Sequence, residues 1–202
     1  MKRPRRRSLI AASVILVVAV LAVVAVLVHS GGAPHSAQTA AGTRAELGQG
    51  ADPGPLAPFA VPGGGTVHLP ASWPHLPPQG GDIAVVAYAP PGSAAAGSTM
   101  TIRAGTANAL PLSRTVAIFK ALQASMHPGW RLLLQAPQQI PGMTAAELVV
   151  ARYDTAANGV NTAEDLIAHN GSGRAWHISV LGPTATIGSR FLNSATLSLR
   201  PN

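Results

Sequence analysis

The feature that most constrains this chain is an apolar run over residues 9–28 that follows a cluster of basic residues. As a helix, the run would span roughly 30 Å, the thickness of the hydrocarbon core of a bilayer. The cations lie on one flank only and are Lys2, Arg3, Arg5, Arg6 and Arg7. The positive-inside rule therefore predicts a transmembrane signal anchor at residues 9–28, a cytoplasmic segment at residues 1–8 and a domain outside the membrane.

A cleaved signal peptide is the alternative interpretation of the same segment. Residues 28–30 (VHS) have small side chains at positions suited to a signal peptidase, and cleavage would follow Ser30. The apolar core of a signal peptide usually has about 7–15 residues, which is shorter than this run and favours the uncleaved anchor. The rest of the chain is extracytoplasmic under either interpretation.

Charge and cysteine content exclude several classes of function. The net charge is +7, but residues 1–7 hold five of the 14 Lys and Arg and none of the seven acids. No basic stripe with interleaved aromatic residues remains in the rest of the chain, so nucleic acid is not expected as a partner. The absence of cysteine excludes a disulfide framework, a thiolate metal site, a cysteine nucleophile and lipid attachment at a lipobox.

The remainder divides into a flexible linker at residues 29–58 and an extracytoplasmic α+β domain at residues 59–202. The linker is rich in Gly, Ala, Pro and Ser and has no hydrophobic period. In the domain, apolar spacing predicts helices over residues 114–126, with Ser113 as the N-cap, and over residues 184–195. Shorter β-branched or alternating runs predict strands at residues 66–69, 82–88, 99–103 and 130–135.

The clearest local prediction is an antiparallel meander near the carboxyl end. Asn158-Gly159 and Asn170-Gly171 separate strand-like runs, and this dipeptide favours tight hairpin turns because both residues tolerate positive φ. The three runs cover residues 146–153, 162–169 and 174–181. Strands that cluster together, with helices between and after them, predict a mainly antiparallel sheet flanked by helices.

Short motifs at the start of the domain resemble those of PsbP-like domains, including the actinobacterial lipoproteins of the LpqN type. Residues 67–73 (VHLPASW) are similar to the strand-Pro-small-Trp opening of that family, and residues 142–147 (GMTAAE) enter a long hairpin as in its members. The resemblance implies an α/β/α sandwich used mainly in non-catalytic accessory and binding proteins. Here the predicted membrane helix would replace the lipid anchor, and the family offers no catalytic set to transfer.

No motif in the sequence predicts a catalytic residue, a cofactor site or a metal site. The seven histidines show no HxH, HxxxH or HExxH spacing, and no GxSxG or SxxK motif is present. His169 and His177 would face each other across a tight hairpin, although two partly exposed sheet residues explain them as well. Glu164-Asp165 is the only adjacent acid pair; on a strand the two side chains point to opposite faces, and a solvated edge accounts for them. Trp73, Trp130 and Trp176 are expected in the core.

The sequence therefore favours a membrane-anchored, non-catalytic binding or accessory module of the cell envelope. Its expected partners are an envelope protein or a small apolar ligand held between a helix and the sheet. An envelope hydrolase with an unrecognised Ser/His/Asp site is the alternative. A polar pocket that combines His169 or His177 with Asp154 or Asp165 and a serine would favour the hydrolase.

Overall fold

A seven-stranded antiparallel sheet dominates the computed structural model, which describes residues 47–61, 64–76, 83–106, 110–155 and 159–200. All of these residues belong to the second of two units into which the chain divides, residues 39–202. The strand order in the large sheet is β3-β4-β5-β9-β8-β7-β6, and a separate hairpin pairs β1 with β2. The strands are β1 Leu56–Ala60, β2 Thr66–Pro70, β3 His75–Leu76, β4 Ile83–Tyr88, β5 Thr99–Thr106, β6 Arg131–Pro137, β7 Ala145–Thr155, β8 Gly159–His169 and β9 Arg174–Pro183.

The meander predicted from the Asn-Gly dipeptides is confirmed as β7, β8 and β9. These are the three longest strands, and each pairs antiparallel with the next. At the second turn, the Asn170 side-chain oxygen accepts hydrogen bonds from the backbone N–H groups of Ser172 and Arg174. The positive φ of this loop falls at Gly173 (75°), not at Asn170 or Gly171. Residues 170–174 lie between the last paired residues, His169 and Ala175, so the turn is longer than a two-residue turn at Asn170-Gly171. At the first turn, residues 156–158 lie outside the described residues.

One helix, α1 (Leu112–Met126), packs against one face of the sheet. Pro111 occupies the N-cap position, so Ser113 lies inside the helix and does not cap it as predicted. The helix ends at the predicted place because His127 takes an extended conformation before Pro128. Its buried side is formed by Val116 with Leu112 and Phe119 partly buried, whereas Met126 is 53% exposed.

The main core lies on the opposite face of the sheet. The β1–β2 hairpin and the carboxyl-terminal segment cover that face and bury large apolar side chains against it: Val67, Trp73, Met100, Ile102, Trp176, Ile178, Phe191 and Leu199. Trp73 and Trp176 are buried as expected, and Trp130 is half-buried. The expected mainly antiparallel sheet with helices is thus confirmed, with α1 on one face and a hairpin plus short helical segment on the other.

The carboxyl-terminal helix is much shorter than the predicted residues 184–195. A three-residue helix, α2 (Ser189–Phe191), continues as a π-helical turn over Leu192–Thr196. The preceding residues instead form turns, and the backbone N–H of Ala51 donates to the Thr186 carbonyl at 2.7 Å. Gly50 and Gly188 meet backbone to backbone there, where an added Cβ on either would lie 2.7 Å or less from main-chain atoms. A helix through residues 184–188 is incompatible with this contact.

Packing begins upstream of residue 59, the predicted start of the domain. β1 starts at Leu56, and Leu47 is buried in a cluster with Leu133, Leu148 and Leu192. The amino-terminal portion of the predicted linker and the predicted anchor at residues 9–28 lie outside the described residues. Among the residues that are described, no helix is long and apolar enough to cross a membrane.

Candidate functional site

A cavity of about 220 Å³ lies between α1 and the sheet, at the end of β5, β8 and β9. The three strands are neighbours in the sheet, so their residues meet at one place although they are far apart in sequence. The lining residues are Arg103, Ala104, Gly105, Thr106, Thr115, Phe119, Ile167, His169, Ala175, Trp176 and His177. Apolar walls with a few polar groups are typical of small-molecule sites.

Strand register places Arg103, His169 and His177 on the face that α1 covers. Arg103 on β5 is paired with His177 on β9, and His177 is paired with Ile167 on β8. Paired residues in an antiparallel sheet point to the same face, and so do residues two apart on one strand. The ring of Phe119 on α1 packs edge to face against the ring of His177, with ring centroids 5.2 Å apart.

His177 is held by Asp165, its diagonal neighbour on β8. The Nε2 atom of His177 lies 2.8 Å from Oδ1 of Asp165, whose side chain is only 7% exposed. The buried carboxylate orients the imidazole and occupies Nε2, which leaves Nδ1 as the ring nitrogen available to a ligand. The His177 side chain itself is 24% exposed, so the ring is accessible from the cavity.

His169 lines the same cavity but does not pair with His177. The register places Ala175 opposite His169 and Ile167 opposite His177, so the two histidines lie two residues out of register. Desolvation by burial lowers the pKa of His169, which favours its neutral form. The two histidines thus share the cavity, and the expected cross-strand histidine pair is not formed.

The structure brings together some, but not all, of the residue types that a Ser/His/Asp hydrolase site would need. His169, His177 and Asp165 lie together, whereas Asp154 is exposed and does not line the cavity. No serine is among the lining residues; the hydroxyl groups are those of Thr106 and Thr115. Among the described residues, no group of three or more His, Asp or Glu side chains is arranged to hold a metal ion.

The predicted solvated edge at Glu164-Asp165 is wrong. β8 is an interior strand of the sheet, and the exposed fractions of Glu164 and Asp165 are 0% and 5%. Their side chains do point to opposite faces: Asp165 contacts His177, and Glu164 enters the main core. There the Thr196 hydroxyl donates to Oε2 of Glu164 at 2.9 Å, while Oε1 has no partner among the described residues. Desolvation by burial raises the pKa of Glu164 to about 8.

Comparison with known proteins identifies the fold. No protein-family model and no curated protein matches the chain. The solution structure of cyanobacterial PsbP (CyanoP) from Synechocystis is similar, with a TM-score of 0.53, 10% identity, and coverage of 85% of this chain and 99% of that one. The predicted PsbP-like fold is therefore confirmed, and at this identity the likeness concerns the fold alone.

Two further solved structures resemble the chain less closely. LpqN, involved in cell envelope biogenesis of Mycobacterium tuberculosis, gives a TM-score of 0.49 and 11% identity over 72% of this chain and 90% of that one. A Pseudomonas aeruginosa protein of unknown function, described as a putative regulator, gives a TM-score of 0.40 and 13% identity over 69% and 88%.

Proposed function

We propose that this chain is a non-catalytic binding module of the cell envelope that holds a small ligand between α1 and the sheet. The cavity of about 220 Å³ carries the proposal, because a concave, mainly apolar site with a few convergent polar groups is the usual form of a ligand site. The PsbP-like fold is compatible with this role, although fold alone does not determine function.

We propose further that residues 9–28 anchor the domain to the membrane and leave it on the outer side. The support is the length of the apolar run and the one-sided cations. An anchor would raise the local concentration of the domain near envelope partners, without any additional contact.

The accessibility of single introduced cysteines tests the topology. The chain has no cysteine of its own, so each introduced cysteine is its only thiol. In intact cells, S36C should react with a membrane-impermeant thiol reagent, and S8C should react only after the membrane is permeabilised. Protection of S36C, or immediate labelling of S8C, would contradict the proposed orientation.

A photoreactive residue at the cavity tests ligand binding in native membranes. Thr115 on α1 is half-buried and lines the cavity, whereas Ala94 is exposed in the turn between β4 and β5, at the end of β5 remote from the cavity. A benzoylphenylalanine at position 115 should form small-molecule adducts detectable by mass spectrometry, and the same group at position 94 should not. Adducts to protein alone at position 115 would argue for a macromolecular partner and against the small ligand.

One observation favours the alternative, an envelope hydrolase: Asp165 and His177 are paired at the cavity. A triad also needs a nucleophile beside the free ring nitrogen, and no serine lines the cavity. A serine-reactive fluorophosphonate should therefore leave the folded protein unlabelled. Labelling that disappears in H177Q would favour the hydrolase over the binding module.

A further inference from the structure

The walls of the cavity carry positive charge that no acidic residue on those walls balances. Arg103 is exposed at the rim, and none of the described carboxylates lies within ion-pair distance of its guanidinium. Among the described residues, the carboxylate bonded to a lining residue is that of Asp165, which is buried and bonded to His177, and Glu147 lies opposite Ile167 on β7 but is not part of the lining. An anion that enters the cavity therefore meets Arg103 and, among the described residues, no acid in the lining.

Arg103 and His177 on the cavity wall are suited to bind the same group of a ligand. Arg103 and His177 are directly paired across β5 and β9. Directly opposite residues in an antiparallel sheet have Cβ atoms about 4.5–5.5 Å apart, so both side chains can reach a single small group. The planar fork of arginine donors matches a carboxylate or a phosphate, and Asp165 leaves Nδ1 of His177 for the second contact.

The other walls limit the size and polarity of the rest of the ligand. Phe119 and Ile167 present apolar surface, and Ala175 and Gly105 add little bulk. Pockets for drug-sized molecules usually have about 300–1,000 Å³, and this cavity is smaller. The space therefore suits one ring or a short acyl chain.

We infer that the cavity binds a compact amphipathic anion, with a carboxylate or phosphate held by Arg103 and His177 and an apolar body against Phe119 and Ile167. The inference rests on the proposed binding function and narrows its ligand class. The expected ligand thereby changes from an apolar molecule to one with a single anionic end.

Two matched probes isolate the contribution of the charge. The purified full chain in mild detergent is titrated with 4-fluorobenzoate and with its uncharged isostere 4-fluorobenzamide, and binding is followed by fluorine NMR. Hydrogen bonds to charged groups are about twice as strong as neutral ones, so the benzoate should bind about tenfold more tightly. R103Q should reduce that preference to less than about twofold. R174Q removes the same charge from an exposed arginine outside the cavity and should leave the preference unchanged.

A third variant locates the binding. A175L narrows the cavity and should weaken both probes, while phenyl phosphate should displace the benzoate from the wild-type protein. Equal affinity for the two probes that R103Q does not alter would overturn the anion inference and leave the binding module intact. Binding that A175L does not affect would overturn the assignment to this cavity. Failure of both probes to bind at about 10 mM would overturn the inference and the proposed small-ligand function together.

Discussion

Replacing Glu164 by glutamine should remove a large pH dependence from the stability of this protein. Burial in the main core raises the pKa of Glu164 from 4.5 to about 8. The folded state therefore keeps a proton that the unfolded state releases above about pH 4.5. The stabilisation is complete below pH 4.5, declines as the pH rises, and is lost once the pH passes about 8.

The size of the effect follows from the difference between the two pKa values. Each pKa unit corresponds to about 1.4 kcal/mol, so the free energy of unfolding should fall by roughly 5 kcal/mol in total from well below pH 4.5 to well above pH 8, and by roughly 4 kcal/mol between those two pH values. Glutamine has nearly the same shape and does not ionise, so E164Q should lack this decline. A loss of 5 kcal/mol is large against a total stability of about 5–15 kcal/mol.

Urea unfolding between pH 5 and pH 9 measures this difference directly. The fluorescence of Trp73, Trp130 and Trp176 reports unfolding of the domain, and linear extrapolation gives the free energy at each pH. E147Q is the control, because Glu147 is a half-buried carboxyl on neighbouring β7 that accepts a hydrogen bond from Gln135. E147Q should follow the wild-type curve and E164Q should not. Parallel curves for E164Q and the wild-type protein would refute the argument that Glu164 is protonated in the core.

Three further variants test the effect of burial on stability. T196V removes the hydroxyl that stabilises the charged form of Glu164, so the decline in stability should extend to higher pH, as unfolding curves above pH 8 will show. W176A should cost about 3–5 kcal/mol in urea unfolding because the side chain is 2% exposed. M126A should cost less than about 0.5 kcal/mol because Met126 is 53% exposed.

The parts of the fold that depend on local signals could be predicted from the sequence. The meander follows from β-branched runs separated by Asn-Gly, and the end of α1 follows from His127-Pro128. The exact geometry of the turn after β8 could not be predicted, because Gly173, and not Asn170-Gly171, supplies its positive φ. A single extra loop residue changes every pairing in a hairpin. The contact between His177 and Asp165 therefore could not be predicted from the sequence either.

The parts that depend on tertiary contacts were missed. β1 contains Pro58 and has no clear alternation, and it is a strand because it pairs with β2 along its whole length. The helix expected at residues 184–195 has suitable apolar spacing, but the approach of Gly50 to Gly188 and the bond from Ala51 to Thr186 stop it. Neither contact leaves a signal in a single sequence.

The two adjacent acids on β8, Glu164 and Asp165, affect both the stability of the fold and the cavity. An ionised carboxylate inside a sheet must be paired or protonated, since burial without compensation costs several kcal/mol. Glu164 is protonated in the main core, whereas Asp165 is paired with His177 on the face that α1 covers. His177 therefore compensates a buried charge and also lines the ligand cavity. Removing its ring should weaken ligand binding and leave Asp165 unpaired, whereas D165N should spare most of the stability while it loosens the orientation of His177. Comparing the two variants in both unfolding and fluorobenzoate binding would separate the structural role of the pair from its part in recognition.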